Sequence, residues 1–583
     1  MTDRGKQNSA MPGLLVIAFS IALIMVFASN FYFIFAMPYQ KSYREMTMIK
    51  YAVDFSRGLN PYSAALLKAE LPFNSGCYAF LQSFITGFIL RFFPVSRALT
   101  VSEVFSKCID AGAALLVYLT VRKHGCERWI SLLAALISAR IVSACTAYPH
   151  SLGMLLVYLL AFLITRDTVK NVYHPFLYAV IVILAFYSKQ YFLLLGPCLF
   201  VYLLFRSLRD AVKLAIYGLA IGFGSLFFID RVFPLYLPLV LVRANIDSNM
   251  HGILYILKQI ATVVAIKYPD VAILSLGALF IVVPALCAKY REQCGTAVQK
   301  TWALCKCLSY EEVCLLVSVL PVTYISRNHG QFCEYYEQLM VPYAIIWGCV
   351  IMDRVMKGSY SDEKGKQFLQ ADQSGNCDMK VSHSDEKGKQ FLQADRSGIC
   401  DMKGSHSEKT GKAVRILMIA AAACGVFLTL SRIPVVYFRT DIAAAKQTWT
   451  DTIDIIEENA PNRRIITSPL LANYCLVNDI YTDDYGQAQY NSDRAMKILN
   501  ESPVYNKYFP EMAEIIEMTL KYRQEVQKQL DEGYYEVVAL SSDGRGSLNY
   551  DNMRIDENLY KSYGVKRLAV GTSSYYIKIY VRI

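Results

Sequence analysis

The sequence predicts an α-helical polytopic membrane protein with about 11–13 transmembrane helices and a small C-terminal extracytoplasmic α/β domain. The 583-residue chain is 54% hydrophobic, and its mean hydropathy is +0.30. A soluble protein of this size would be about 45–50% apolar. The excess lies in runs of roughly 16–25 residues with few charges, the length at which a helix crosses about 30 Å of hydrocarbon.

The apolar runs follow one another along most of the chain. They lie at residues 12–37, 78–94, 100–121, 128–147, 149–166, 173–206, 211–230, 268–289, 311–327, 333–353 and 413–432. The run 173–206 is long enough for two passes. Because backbone groups in lipid must bond to one another, these runs are expected to be helices. The first run lacks a small-residue cleavage pattern, which predicts a retained anchor.

The distribution of basic residues predicts the orientation of the chain in a plasma membrane. The net charge is +11, and Arg4 and Lys6 place the N-terminus in the cytoplasm. The lysine-rich loop 357–412 is expected on the same side, so that the last helix, 413–432, leads outward to an extracytoplasmic domain, 433–583. This arrangement requires an odd number of spans. Basic residues flank both ends of run 100–121, which leaves the early topology open.

Four regions are therefore expected. A transmembrane domain, 1–356, includes a first outer loop, 38–77, with two short amphipathic segments that would lie in the membrane interface. The cytoplasmic loop 357–412 contains a repeat, because Ser361–Phe368 recurs 23 residues later, and its polar composition predicts disorder. The last helix and the C-terminal domain complete the chain.

The C-terminal domain, 433–583, combines helical and alternating patterns. Its elements are predicted as helices at 443–459 and 510–530 and strands at 464–467, 536–540 and 575–583. Its one cysteine, Cys475, cannot form a disulfide within the domain. Most of the 16 cysteines lie in or beside apolar runs. The cluster Cys305, Cys307 and Cys314 has no Cys-x2-Cys pair or nearby histidines, so reduced thiols are expected.

Glu45 is the first candidate for catalysis, because it lies in a polar stretch just after the first helix. A carboxylate at the membrane surface is suited to remove a proton from a sugar acceptor. The alternative interpretation is an exposed loop carboxylate that pairs with Arg44 or Lys41. Asp54 is a rival base, although it falls on a predicted amphipathic helix, where a solvated face is the ordinary explanation.

The order of motifs in this region resembles that of the GT-C superfamily, the multi-spanning glycosyltransferases of the protein-mannosyltransferase and aminoarabinose-transferase type, here in a bacterial form. An apolar helix and an acidic residue precede Gly58-Leu59-Asn60-Pro61-Tyr62, and Cys77-Tyr78 then enters the second span. Glu45 and Gly58–Tyr62 match the family pattern of an acidic residue ahead of a Gly-x-x-Pro-Tyr turn. Members often carry Asp or an Asp-Glu pair where this chain has Glu45 alone. The resemblance covers about residues 12–353.

Candidate contacts to a lipid phosphate lie in three later polar interruptions. They are Lys189, Gln190, Arg231, Arg243, Arg327, His329, Tyr335 and Tyr336. A lysine between two spans is costly and is expected to face a cavity, and arginine offers a fork for phosphate oxygens. The alternatives are a solvent-exposed turn at Lys189 and a belt of interface tyrosines at 335–336.

No phosphate-binding glycine loop of a nucleotide enzyme is present, which favours a lipid-phosphate donor. The sequence and the resemblance predict a glycosyltransferase that moves a hexose or pentose from a polyprenyl-phosphate donor to an envelope glycan, lipid or protein. Glu45 would be the base. No cofactor is required, a divalent metal stays open, and no nucleic-acid partner is expected. The alternatives are a glycan-lipid flippase or transporter, which predicts charges inside several spans and helix repeats that are not evident, and an envelope polysaccharide polymerase.

Overall fold

The computed structural model is mostly helical and ends in a small sheet, which confirms the predicted fold class. It describes residues 4–39, 45–63, 65, 78–141, 149–243, 251–292, 296–329, 333–357, 406–431, 442–467, 471–480, 507, 509–542, 554–570 and 573–583. The predicted repeat within loop 357–412 lies outside these residues.

Each apolar run of the sequence coincides with a helix or a pair of helices. The helices of this part are α1 (Arg4–Ala36), α2 (Glu45–Ser56), α3 (Leu81–Leu90), α4 (Ala98–Lys123), α5 (Arg128–Ile141), α6 (His150–Lys170), α7 (Pro175–Ser188), α8 (Leu195–Arg206), α9 (Leu208–Val232), α10 (Ile253–Ala261), α11 (Pro269–Glu292), α12 (Ala297–Cys307), α13 (Tyr310–His329), α14 (Glu334–Leu339), α15 (Val341–Met356) and α16 (His406–Ser431). The run 173–206 divides at Lys189 into α7 and, after the 3-10 turn Gln190–Leu194, α8.

Four described helices are long and apolar enough to cross a membrane: Pro12–Ala36, Val95–Lys123, His150–Lys170 and Leu208–Val232. A fifth crossing results if the bent pair Ile253–Lys267 and Pro269–Pro284, which meet at 101°, is one broken span. Shorter apolar helices accompany them at Leu81–Leu90, Pro175–Ser188, Gln190–Arg206 and Ile416–Ser431. Large apolar side chains such as Phe223 and Phe280 are exposed, as lipid-facing residues are.

The helices form a bundle whose centre is α4, packed against α5 and α6. Small residues allow this close approach, among them Ala113, Ala134 and Gly153. A Cβ at Gly153 would overlap the ring of Phe192, so the glycine makes room for the turn before α8.

The two ends of α4 define the two ends of the bundle. Its first residues, Ala98 and Leu99, pack against α2, whereas Lys123 is at its other end. We call these the α2 end and the far end. A helix of this length separates them by about 39 Å.

Helix α2 differs from the expectation of an amphipathic segment in the membrane interface. Nearly all of its side chains are buried. Met46, Ile49 and Val53 pack against the end of α3 and the start of α4. On the opposite face of α2, its residue Tyr51 packs into a second apolar cluster. Helix α2 is therefore a core element of the bundle.

The C-terminal domain contains α17 (Ile442–Asn459), α18 (Ala472–Val477), α19 (Glu511–Asp531) and the strands β1 (Ile465–Thr467), β2 (Val537–Ser542), β3 (Tyr560–Val570) and β4 (Ser573–Arg582). The strand order is β1-β2-β4-β3, with β1 and β2 parallel and the other pairs antiparallel. The predicted helices and three predicted strands are present. Strand β3 was not predicted, because its lysines, arginine and glycine obscure the alternation.

The C-terminal domain contacts the α2 end of the bundle. Trp449 stacks on Tyr39, with ring centroids 5.5 Å apart and an interplanar angle of 8°. Phe33 near the end of α1 and Met37 just after it pack into the apolar core of the C-terminal domain. Leu476 of α18 packs with the apolar residues of α2. Through Leu476 the C-terminal domain therefore touches α2 itself.

Candidate active site

The Gly-x-x-Pro-Tyr motif forms the turn that ends α2. Gly58 has φ +76°, a left-handed conformation that favours glycine. The Leu59 amide donates to the Asp54 carbonyl oxygen at 2.8 Å, which closes the helix. The motif therefore fixes where α2 stops.

Asn60 and Tyr62 anchor this turn to the rest of the α2 end. The Asn60 side chain donates from Nδ2 to the Val232 carbonyl oxygen at 2.7 Å, and the Leu235 backbone amide donates to the Tyr62 carbonyl oxygen at 3.0 Å. The buried Tyr62 hydroxyl donates to the Tyr78 carbonyl oxygen at 2.6 Å. The motif thus ties α2 to the end of α9 and to the segment before α3.

Glu45 occupies the first turn of α2 and has 0% of its surface exposed. Backbone N–H groups at a helix N-terminus favour a negative charge at this position. The interpretation of Glu45 as an exposed loop carboxylate is therefore wrong. Its proposed partners, Lys41 and Arg44, lie outside the described residues.

Asp54 lies near the other end of α2 and is held by Lys50. The Lys50 Nζ lies 2.5 and 2.6 Å from its two carboxylate oxygens, and only 8% of the Asp54 side chain is exposed. Burial raises the pKa of Asp54 above its ordinary value, although the Lys50 ammonium opposes the rise. Asp54 is therefore not on a solvated face. Nine residues of helix separate it from Glu45 by about 13 Å, too far for both carboxylates to act on one atom.

Lys189 is the centre of a buried polar group that we call the Lys189 cluster, consisting of Lys189, Tyr191, Glu334, Tyr335 and Gln338. Lys189 Nζ donates to Glu334 Oε1 at 2.6 Å, and 9% of the lysine side chain is exposed. Its ammonium also lies 4.8 Å from the ring centroid of Tyr191. The alternative of a solvent-exposed turn at Lys189 is wrong, because α14 covers the lysine.

The other members of the cluster hold this ion pair in place. Gln338 donates to Glu334 Oε1 at 3.2 Å and accepts from the Tyr191 hydroxyl. Tyr335 packs edge-on against Tyr191, with ring centroids 5.0 Å apart. Tyr335 is buried, so it is not part of an exposed tyrosine belt.

A second ion pair lies deeper in the bundle and was not among the predicted site residues. Lys107 Nζ lies 2.5 Å from Asp110 Oδ2, and both side chains are almost fully buried. His150 at the start of α6 lies within electrostatic reach of Lys107, Lys189 and Glu334. Ionisable residues at membrane depth are costly and mark functional sites by default. In the sequence, this buried pair is indicated by the charged residues within the apolar run 100–121.

The remaining predicted contacts are placed in different surroundings. Gln190 Nε2 donates to the Val240 carbonyl oxygen at 3.4 Å, next to the Lys189 cluster. The Tyr336 hydroxyl donates to Thr323 Oγ1 at 3.5 Å. The structure therefore brings Lys189, Gln190 and Tyr335 together, with Tyr336 on the same short helix.

Two predicted arginines are exposed and do not join the cluster. The Arg231 guanidinium lies 4.2 Å from the ring centroid of Phe227. Arg327 is exposed, and its carbonyl oxygen accepts from the His251 amide at 2.9 Å. The side chains of Arg243 and His329 lie outside the described residues.

An apolar groove of about 550 Å³ is lined in part by Tyr336, which follows Tyr335 of the Lys189 cluster in the chain. It passes between α11, α13 and α15 and reaches Glu312 and Trp347 toward the far end. Its walls are almost entirely aliphatic and aromatic, including Val263, Leu279, Leu315 and Met340. The groove has the character of a site for a hydrocarbon chain.

Within the described ranges, no group of three or more His, Cys, Asp or Glu side chains has the arrangement of a metal site. The fold provides a lysine-carboxylate pair, a buried carboxylate on α2 and an apolar groove. Their chemistry suits a phosphate attached to a lipid better than a free polar metabolite.

The fold is that of the GT-C proteins. The chain is similar to the solved structure of ArnT from Cupriavidus metallidurans bound to undecaprenyl phosphate, with a TM-score of 0.50 and 12% identity over 97% of this chain and 98% of that chain. A more distant likeness, with a TM-score of 0.43, is to the oligosaccharyltransferase of Archaeoglobus fulgidus in the apo form, with 11% identity over 91% of this chain and 69% of that chain. No family model and no curated protein matches the sequence.

The likeness to ArnT extends over nearly the full length of both chains, so it includes the C-terminal domain as well as the bundle. The resemblance to the GT-C superfamily that the Glu45 and Gly58–Tyr62 motifs predicted is thereby confirmed at the level of the fold. The helices and their composition are those of a polytopic membrane protein.

Proposed function

We propose that this protein is a membrane glycosyltransferase that moves a sugar from a polyprenyl-phosphate donor to an envelope glycan, lipid or protein. The observation that carries the proposal is the buried Glu45 at the head of α2, in a chain with the GT-C fold. The ArnT structure was solved with undecaprenyl phosphate, which supports a donor of this class.

The reaction follows from the chemistry of the proposed groups. Glu45 takes the proton of the acceptor hydroxyl while the hydroxyl oxygen attacks the anomeric carbon of the donor. A new C–O bond forms to the acceptor, the bond between the sugar and the phosphate breaks, and the polyprenyl phosphate leaves with the electron pair. Attack opposite the leaving group inverts the configuration of the sugar.

Lys189 is proposed to bind the leaving phosphate. In the structure its ammonium is bound to the Glu334 carboxylate at 2.6 Å, an anion in the position that we assign to a phosphate oxygen. Exchange of one anion for the other would keep the lysine paired in the low-dielectric interior. The charge on the leaving phosphate would then be stabilised by a lysine whose position Tyr191 and Gln338 help to fix.

The apolar groove is proposed to hold part of the polyprenyl chain. Tyr336, two residues from Glu334, lines the groove, so a phosphate at Lys189 would lie close to it. We further propose that the α2 end and the C-terminal domain are extracytoplasmic and that the N-terminus and loop 357–412 are cytoplasmic. The abundance of lysine in that loop supports this orientation.

The test is sugar transfer by purified protein in lipid nanodiscs supplied with radiolabelled polyprenyl-phosphate sugars. Glu45→Gln should reduce transfer by about 10²–10⁴-fold, the usual contribution of a general base, without changing donor binding. Glu517→Gln on α19, which removes an exposed carboxylate, is the matched control and should transfer normally. Undiminished transfer by Glu45→Gln would exclude Glu45 as the base.

A flippase or transporter is the second candidate, and one observation favours it. Lys107, Asp110 and Arg140 are ionisable groups buried inside α4 and α5, which that alternative predicts. A fluorescent polyprenyl-phosphate sugar in sealed vesicles distinguishes the two functions. Movement between leaflets without any transfer product would support the flippase.

A further inference from the structure

A polar cavity of about 180 Å³ lies at the far end of the bundle, away from the Lys189 cluster. The ends of α4, α6 and α8, the start of α13 and the last turns of α15 enclose it. The lining includes the basic residues Lys123, His124, Arg206 and Arg354 and the carboxylates Glu311 and Glu312. Four basic groups thus face two acidic ones.

Both carboxylates already have partners in the wall. Glu311 Oε1 lies 3.4 Å from His124 Nε2. Glu312 accepts from Trp347 Nε1 at 3.0 Å and from the Ser309 amide at 2.7 Å. The acidic groups therefore serve to hold the wall together.

Arg206 has no such counterpart. It donates from Nη2 to the Leu308 carbonyl oxygen at 2.9 Å and lies 5.5 Å from the ring centroid of Tyr202. Its Nε is buried and makes no hydrogen bond, and no carboxylate in the described part of the chain pairs with the guanidinium. A half-buried charge without an anion is costly. The planar fork of arginine matches phosphate oxygens.

The cavity also borders a hydrocarbon-like surface. Glu312 and Trp347 line both this cavity and the apolar groove. A basic pocket between transmembrane helices that adjoins an apolar wall is the kind of site that anionic lipid headgroups occupy. Its volume is below the 300–1,000 Å³ of typical small-molecule sites, so it suits one headgroup phosphate rather than a nucleotide sugar.

We propose that this cavity binds a phosphate group, carried by the headgroup of an anionic membrane phospholipid, with Arg206 as the principal contact. Lys123 at the rim and the hydroxyl of Thr165, which also lines the cavity, would add a second charge and a donor. The phosphate position in this cavity is separate from the one proposed for the donor phosphate at Lys189, and its occupation does not depend on the transfer reaction.

The test measures how much phospholipid the full chain retains. Wild type, Arg206→Gln and Arg209→Gln are placed in nanodiscs of phosphatidylglycerol mixed with phosphatidylcholine. Each protein is then extracted in mild detergent, and its bound phospholipid is measured by native mass spectrometry. Arg209 is an exposed arginine at the start of α9, so its substitution makes the same change in charge without touching the cavity. Wild type and Arg209→Gln should retain phosphatidylglycerol, and Arg206→Gln should retain about tenfold less.

Arg206→Lys provides the second variant if the glutamine variant fails to fold, because it keeps the positive charge and removes the planar guanidinium group. It should retain an intermediate amount of phosphatidylglycerol. Equal retention by wild type and a folded Arg206 variant would overturn the proposal. A second arm measures the thermal unfolding of delipidated protein in inorganic phosphate. Stabilisation of wild type by phosphate without any retained phospholipid would support the phosphate site and overturn the lipid as its source.

Discussion

The two ends of the bundle differ in how the main cation of each proposed site, Lys189 or Arg206, is paired. At the α2 end each described lysine of the site is paired with a carboxylate, as in Lys189–Glu334 and Lys50–Asp54. At the far end Arg206 faces a cavity and pairs with no carboxylate within the described ranges. The first arrangement keeps its cations in position when no ligand is bound, whereas the second leaves one charge for an external anion.

This difference predicts different responses to substitution. Removing one partner of a buried pair leaves the other charge uncompensated, at a cost of about 3–5 kcal/mol. Removing Arg206 leaves no carboxylate of the described residues without its partner. Loss of function at the α2 end must therefore be separated from loss of folding, whereas Arg206 variants at the far end are expected to lose less stability.

The largest effect is expected for Lys189→Met. We expect transfer to fall by at least about 100-fold with a raised KM for the donor, because the phosphate loses its cation. Lys267→Met, in the more exposed pair with Glu337, is the control and should change the donor KM less than threefold. A normal KM in a folded Lys189→Met protein would exclude the lysine from the donor site.

The Arg140–Asp270 pair provides the corresponding test of stability. The two side chains lie 2.6 Å apart and are fully buried in the middle of the bundle. Arg140→Met should lower the free energy of unfolding by about 3–5 kcal/mol, and the double variant Arg140→Met/Asp270→Leu should recover much of that loss. Unfolding in detergent, followed by circular dichroism, measures both. If the double variant is no more stable than the single one, the pair is not compensating buried charge.

A smaller effect is expected for Asp54→Asn. Since Asp54 is bound by Lys50 and lies about 13 Å along α2 from Glu45, we expect transfer to remain within about tenfold of wild type. The same transfer assay measures it beside Glu45→Gln. The opposite result, in which Asp54→Asn is inactive and Glu45→Gln is active, would identify Asp54 as the base.

The smallest effect is expected in the C-terminal domain at Glu536. Burial opposes its ionisation, but bonds from the Asn462 side chain and from the amides of residues 462 and 464 lower the pKa of Glu536 below its ordinary value. Its contribution to stability is complete above the ordinary glutamate pKa of about 4.3 and is lost as the pH falls through the folded value.

Glu536→Gln should therefore destabilise β2 by about 1 kcal/mol at pH 7, and the difference should shrink below about pH 4. Hydrogen exchange of the amides of residues 537–542, compared with Glu517→Gln, measures this change. A difference that grows on acidification would contradict the assignment.

The bundle could be predicted from the sequence because runs of apolar residues determine membrane helices almost without reference to tertiary contacts. The burial of α2 could not, since Lys50 and Asp54 look like solvent-facing residues until their pairing is known. Lys189 was found as a charge between two apolar runs. Its partner Glu334 was not, because the two residues lie 145 positions apart and only the folding of α14 onto α7 brings them together.

The enclosure of Glu45 has a consequence for the timing of catalysis. A carboxylate with 0% exposed surface, on a helix packed against the bundle and against Leu476 of the C-terminal domain, cannot meet an acceptor in this conformation. If Glu45 is the base, each turnover includes an opening of the packing around α2, a motion of the kind that takes microseconds to milliseconds in other enzymes. The rate of sugar transfer would then depend on the viscosity of the medium and on tethers across that packing, even with the chemistry of the site unchanged.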